Sequence, residues 1–292
     1  MFKKFLILVA ILTSFFFGCR AFSMADARKP NQYLYGVTID SILDLPSILN
    51  SLENLNDMTV RIVFDEYMPP EYYKTAVNLI HQKSKIMGEL LDSASVKEYT
   101  VEEYKERADQ YIVELKNVDI WEVGNEVNGE WLGPKNDVVA KITTAYSIAK
   151  SHNKVTALTL FYNEHEDVPT HNKMFTWANT NIPEDMKKGL DYVLVSYYPN
   201  DLNSEPDWPK VFNRLHALFP NAHLGFGEVG TSDESKKSEF IQYFYNLKIN
   251  EPYYIGGYFW WYYIQDMIPH TRFLHSELYS AIEKARSSVA LA

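Results

Sequence analysis

The segment "IWEVGNEVNGEW", residues 120 to 131, carries three carboxylates and two tryptophans around one Gly-Asn pair. It begins apolar and turns abruptly into Asn125-Glu126, as though a carboxyl group were needed at that point. A second apolar run, "GFGEVG" (225–230), contains Glu228 at its end. Two carboxyl groups facing one another can break a glycosidic bond, one protonating the leaving oxygen while the other attacks the anomeric carbon. A lone strand-end glutamate is more often a loop charge, so it is the pair, in matching positions, that points to catalysis.

The rest of the chain must bring the two together. Short β-branched and aromatic runs recur at 33–39, 59–65, 84–92, 118–126, 154–162, 191–199, 223–230 and 253–263. Each is apolar throughout rather than strictly alternating, as in strands covered on both faces. Helical segments lie between them. Thr100 and Glu103 form a capping box, Pro69 and Pro70 suit a first helical turn, and the acids of "SDESKKSEF" favour a helix start. Residues 274 to 287 read as a closing helix. Eight strand–helix units between residues 31 and 292 fit an α/β fold, a single (β/α)8 TIM barrel, which typically takes about 250 residues. A doubly wound sheet would open with a Gly-rich turn, and "YGVTID" is not one. In a barrel the chemistry sits at the C-terminal strand ends, so Glu126 on the fourth run and Glu228 on the seventh would meet at the mouth.

Composition narrows the function. The 292 residues are 46% hydrophobic and 23% charged, with net charge −10 and no basic run beyond short pairs, so nucleic acid is not an expected partner. No phosphate-binding glycine motif or H-E-x-x-H occurs, and the eight histidines are scattered; neither a cofactor nor a metal is expected. Aromatics reach 15%, which suits a large core and equally a cleft paved with rings for sugar.

The N-terminus reads as an export signal over residues 1–19. Lys3 and Lys4 precede a short apolar run, Phe5 to Phe17, too short for a comfortable membrane span. "FFGC" then presents the one cysteine, Cys19, which resembles the lipidated cysteine of a bacterial lipobox, with Phe16 where Leu is usual. The expected product is a monomeric extracellular or periplasmic protein, anchored through Cys19 if that residue is lipidated. Residues 20–30 form a short linker. The exported body has no cysteine, so a large core must hold it together without disulfides.

The two glutamates, placed at the fourth and seventh runs, make the chain similar to clan A of the glycoside hydrolases. Its members carry Asn-Glu at strand four and a nucleophilic Glu at strand seven. The resemblance implies that Glu126 is the acid/base, Glu228 the nucleophile and Asn125 a ligand for the sugar 2-hydroxyl. "SYYP" (196–199) resembles the sixth strand of several members, β-1,4-galactanases among them, which implies that Tyr198 bonds the nucleophile. Arg61 in "TVRIVFD" matches the clan's strand-two arginine, and "YFWWYY" its strand-eight tryptophan, here assigned to Trp260 rather than Trp261. Ser196 stands where many members have histidine, and no strand-three polar cluster is recognised. A raised pKa is expected for Glu126, from burial and the opposing carboxylate, while Arg61 and Tyr198 should keep Glu228 ionised. The clan's mechanism is retaining, with the carboxyls about 5 to 5.5 Å apart.

Other residues take quieter readings. Glu122 and Glu130 read as solvent or rim charges, and Tyr197, of opposite parity to Tyr198, as a ring beneath a helix. Trp131 and Trp208, in loops on the catalytic side, are candidate stacking platforms. Glu164, His165 and Glu166 read as a solvated loop. The function expected is an exported retaining glycoside hydrolase acting on a β-linked glycan. The alternatives are an inactive carbohydrate-binding surface lipoprotein and a barrel enzyme of unrelated chemistry.

Overall fold

Eight parallel strands close into a barrel in chain order, β1 to β8. The structure is a computed structural model describing residues 33–290 apart from 200, 201, 203 and 204. The predicted signal (1–19), Cys19 and the linker (20–30) lie outside the described residues. The strands are β1 Leu34–Ile39, β2 Thr59–Val63, β3 Lys85–Glu89 and β4 Ile120–Glu122, then β5 Val155–Phe161, β6 Tyr192–Tyr197, β7 His223–Val229 and β8 Gly256–Trp260. All eight fall inside the apolar runs read from the sequence.

Helices α1 Leu45–Glu53, α2 Pro70–His81, α3 Val101–Glu114, α4 Lys135–Ser151 and α5 Met174–Asn181 cover the first half of the barrel. The second half carries α6 Glu184–Gly189, α7 Trp208–Leu218, α8 Lys237–Asn246, α9 Tyr263–Met267 and α10 Phe273–Ala290. Their starts follow local chemistry. Thr100 and Glu103 close the capping box on α3, and Asp207 caps α7 by accepting from the Lys210 amide. α8 begins at Lys237, later than the acidic segment suggested, because 233–236 is held in a turn by the Lys236 amide on the Asp233 carbonyl.

The barrel interior has two layers. At the base, Leu34, Met87, Ile120, Ala157, Leu194 and Phe259 form a closed apolar cluster. Two residues further along β3, β4, β5 and β6 the same inward positions hold Glu89, Glu122, Thr159 and Ser196, all fully buried. A strand's period of two makes these residues stack directly above the apolar floor. Between strands and helices lies the larger apolar core, including Trp121, Phe64 and Phe226. The loops after β2 and β3 are tied down by Arg107 of α3, whose guanidinium donates to the carbonyls of Phe64, Asp65 and Leu90 and lies over the Tyr111 ring.

Two strands depart from simple pairing. β7 carries an extra residue opposite β6: Val195 pairs with Phe226 but Ser196 with Glu228. β8 carries one opposite β1, where Tyr35 pairs with Gly257 and Val37 with Trp260. The bulge in β7 re-aims the side chain that follows it, Glu228. In β8 the backbone runs through positive φ at Gly256, Gly257 and Tyr258 (78°, 95° and 71°). At Gly257 a Cβ would collide with the Phe226 carbonyl oxygen of β7 as well. Gly257→Ala is therefore expected to destabilise the fold by about 2–4 kcal/mol, from combined backbone strain and overpacking, measured by urea unfolding. An unchanged midpoint would show that β8 relaxes freely.

Candidate active site

Arg61 of β2 stands at the centre of the upper layer, fully buried. Its guanidinium meets three carboxylates: Glu122 at Nε (2.7 Å), Glu228 at Nη1 (2.8 Å) and Glu89 at Nη2 (2.8 Å). The first two are aligned hydrogen bonds. The Glu89 contact lacks that alignment, and Glu89 Oε1 has no hydrogen-bond partner among the described residues. Thr159 of β5 donates to the other oxygen of Glu122. Glu122 is thus no rim charge. The parity that places Ile120 on the floor places Glu122 inside as well.

Glu228 faces the cleft through the β7 bulge. Phe226 packs outward into the helix-side core, and Gly227 lies against Thr159 and Leu194 of the interior. Regular alternation would send the next residue outward again; the extra residue turns Glu228 inward instead, beside Ser196. Tyr198 donates to Glu228 Oε1 while Arg61 holds Oε2. Tyr197, of opposite parity, packs against Trp208 and Phe244 of α7 and α8.

Glu126 comes in by a different route. After β4 the chain stays against β5, with the Val123 amide on the Ala157 carbonyl and the Val127 amide on the Thr159 carbonyl. Between those contacts Glu126 adopts φ 49°, the left-handed region that non-glycine residues rarely enter. Asn128 pins the following turn by bonding both the amide and the carbonyl of Phe161. The Glu126 carboxyl accepts from Ser196 Oγ at 2.6 Å and from Ser93 Oγ at 2.9 Å.

Both glutamates open into one cleft of about 480 Å³, lined also by Asp92, Ser93, Asn125, Tyr198 and Trp261. Asn125 is buried, and its Oδ1 has no partner among the described residues. The tryptophan assignment requires correction. Trp260 is fully buried on the helix side and donates its indole N–H to Asp266, whereas Trp261 lines the cleft and covers the Arg61 guanidinium at 5.7 Å. Ile255 and Phe259 belong to the apolar floor while Tyr254, Tyr258 and Trp260 lie in the helix-side core, so the alternation along 254–261 carries Trp261, not Trp260, to the cleft. Trp208 is likewise no platform: it is buried against Tyr197 and Phe226, with its N–H on Glu205. Trp131 remains half-exposed beside the cleft and bonds Ser93. Glu130 lies outside the cleft and accepts from Asn172, and Glu164 accepts from the Phe175 amide at the start of α5.

Ser93 and Glu89 escaped the sequence reading. Both belong to the "SKIMGELLDS" region of β3, where the acid reads as part of an apolar run and the serine as an ordinary turn. The inward parity of Met87 and Glu89 is the signal that could have found the latter.

Charge balance sets the protonation. One guanidinium serves three carboxylates in a space almost without water. Burial pushes Glu89 well above the carboxylate range, with Arg61 opposing and Glu122 reinforcing. Burial also raises Glu126, opposed by the hydroxyls of Ser196 and Ser93. For Glu228 burial outweighs Arg61 and carries the carboxyl up to about 8. This differs in direction from the ionised Glu228 expected from sequence, because burial, with the Glu126 carboxylate adding to it, outweighs the Arg61 cation.

Solved structures with the same fold include Gas2p of Saccharomyces cerevisiae in complex with laminaritriose and laminaritetraose (TM-score 0.56, 13% identity, covering 87% of this chain and 65% of that one). The family 1 β-glucosidase from Thermotoga maritima also matches (TM-score 0.52, 9% identity, 80% of this chain and 88% of that one). A third is the apo structure of β-glucosidase 1317 (TM-score 0.50, 13% identity, 74% and 76%). This chain thus spans just under two thirds of the length of the Gas2p chain it matches. No protein-family model and no curated protein matches the sequence. The likeness is one of fold: the chain is a (β/α)8 barrel of the architecture those glycoside hydrolases share.

The raised Glu228 pKa has a consequence for stability. The folded protein holds this proton up to about pH 8, whereas the unfolded chain releases it near the ordinary value of 4.5. The folded state therefore binds more protons between those limits, and this group's contribution to stability falls as pH rises through them, by about 1.4 kcal/mol per pH unit. Glu228→Gln is expected to remove that slope, so the variant gains on the parent between pH 5 and 8 in urea unfolding. Parallel stability–pH curves would refute the assignment.

Proposed function

We propose that the protein is an exported retaining glycoside hydrolase of the clan A kind, acting on a β-linked glycan. The observation that carries this reading is the unlike setting of two carboxyls in one cleft. Glu228 accepts from a guanidinium and a phenol, donors that favour its charged form as it attacks. Among the described residues Glu126 accepts from the neutral hydroxyls of Ser93 and Ser196 and is in no ion pair, which suits a group that gives up and takes back a proton. The Asn125 amide oxygen, buried and unpartnered at the cleft wall, fits a donor hydroxyl of the sugar. Trp261, lying over Arg61, offers a ring face for the sugar to stack on.

In this mechanism Glu126 protonates the leaving oxygen while Glu228 bonds the anomeric carbon, and Glu126 then takes a proton from the water that releases the sugar. The pair must hold one proton between them when substrate arrives. Burial raises both carboxyls, Glu228 to about 8, so a proton is retained in the site at neutral pH. Export rests on Lys3, Lys4 and the apolar run before Cys19, and anchoring on lipidation of Cys19. The neighbours' bound laminari-oligosaccharides make β-1,3-glucan the first substrate to try.

The deciding experiment is reducing-sugar release from laminari-oligosaccharides, galactan, mannan, cellulose-type glucan and xylan, with NMR of the first product. Hydrolysis with retained anomeric configuration is expected, and Glu126→Gln and Glu228→Gln should each reduce turnover by about 10³-fold while remaining folded. An inverted first product, or near-parental activity in either variant, would overturn the mechanism.

The pH profile offers an independent check. Activity requires one proton on the pair, so kcat/KM should fall on the alkaline side as that proton is lost, above the ordinary carboxyl range because burial raises Glu126 and carries Glu228 up to about 8. An alkaline limb at or below pH 6 would contradict this proton count.

A further inference from the structure

Ser93 lies just beyond β3, almost fully buried, and its hydroxyl stands between two rigid groups. Trp131 Nε1 donates to Ser93 Oγ at 3.0 Å, and Ser93 Oγ donates to Glu126 Oε2 at 2.9 Å. An indole nitrogen has only a proton to give, and an ionised carboxylate has only lone pairs. With its acceptor side occupied by the indole, the serine hydroxyl has one remaining direction for its proton, toward Glu126. The indole is itself held, packed edge-on to Phe161 at 5.3 Å and 77°. On the other carboxylate oxygen Ser196 donates at 2.6 Å from a fully buried position in β6.

We propose that Ser93 is a positioning residue for Glu126, with Trp131 fixing its hydroxyl in the donating orientation, so that Trp131, Ser93 and Glu126 act as one hydrogen-bonded relay. The proposal deepens the glycosidase reading and rests on it for the role of Glu126. Trp131 is also half-exposed beside the cleft, on the side of the acid rather than of the nucleophile. A sugar stacked on that ring would lie on the leaving-group side and would touch the group that orients the acid's partner. Occupancy of the leaving-group position is thereby coupled to the state of the proton donor.

The charged groups around Glu126 are Arg61 from β2, Asp92 beside Ser93, Glu228 from β7 and the Tyr198 hydroxyl at the end of β6. None of these is altered by changing Ser93 or Trp131, so the effect of the relay can be isolated. Removing a donor to the ionised carboxyl leaves burial less opposed, and the pKa of Glu126 rises.

The test is a carbon-13 carboxyl titration of the full chain labelled at glutamate, with the Glu126 signal identified by its loss in Glu126→Gln. Ser93→Ala is expected to raise the Glu126 midpoint by about one unit, and Trp131→Phe, which keeps a ring but removes the N–H, by a smaller amount in the same direction. Ser93→Thr should restore the parental midpoint. A Glu126 midpoint within about 0.3 unit of the parent in Ser93→Ala would overturn the proposal, and so would a shift in Ser93→Ala with none in Trp131→Phe. The titration needs no substrate. A parent that hydrolyses no glycan would remove the glycosidase reading while leaving the relay confirmed or refuted by the titration.

Discussion

Everything at the mouth of this barrel is arranged around one buried guanidinium. Arg61 has no contact with solvent, and its charge is shared by carboxylates from three other strands, β3, β4 and β7. A buried cation without partners would cost several kcal/mol, and a single carboxylate would neutralise it. Three do more than neutralise it: they leave the cluster with an excess of negative charge that has to be relieved by protons. Glu89, poorly aligned and with one oxygen unpartnered, is the natural holder of one such proton. Arg61 thus fixes the geometry of the cluster, while burial pushes Glu89, Glu126 and Glu228 above the ordinary carboxyl range.

The strands supply this arrangement with few special devices. Regular alternation lifts Glu89, Glu122, Thr159 and Ser196 above an apolar floor and carries Trp261 to the cleft, and one bulge with one left-handed residue does the rest. The bulge in β7 turns Glu228 into the cleft, and the positive φ at Glu126 brings in the second carboxyl. Irregular backbone therefore occurs where the chemistry is, as expected when a fold departs from its own rules for function.

This also explains what could be read from the sequence. The barrel was legible because eight apolar runs and their helix starts are strong local signals, and Glu126 and Glu228 stood out because they end two of those runs. Tyr198 and Arg61 were placed beside Glu228 from a family resemblance, and the structure brings them to it. Glu122 was misread as a rim charge, although the parity of Ile120 contains the correct answer, because an acid inside a strand is ordinarily solvated. Trp260 and Trp208 were misassigned for different reasons: adjacent tryptophans point to opposite faces and the local sequence does not say which faces inward, and a loop position says nothing of the aromatic cluster that buries the other. Ser93 gave no signal at all. Its proposed role depends on Trp131 and Glu126 meeting it across 38 and 33 positions of sequence, which no local pattern encodes.

Met87, Ile120, Ala157, Leu194 and Phe259 form an apolar floor below the charged layer, and Glu228 opens into the cleft on the other side of that layer. In a two-step displacement the second step needs a water molecule close to the place the departing sugar has occupied. In the proposed mechanism that water reaches Glu228 through the cleft the leaving group also uses, so an acceptor hydroxyl present there would compete with water for the same position.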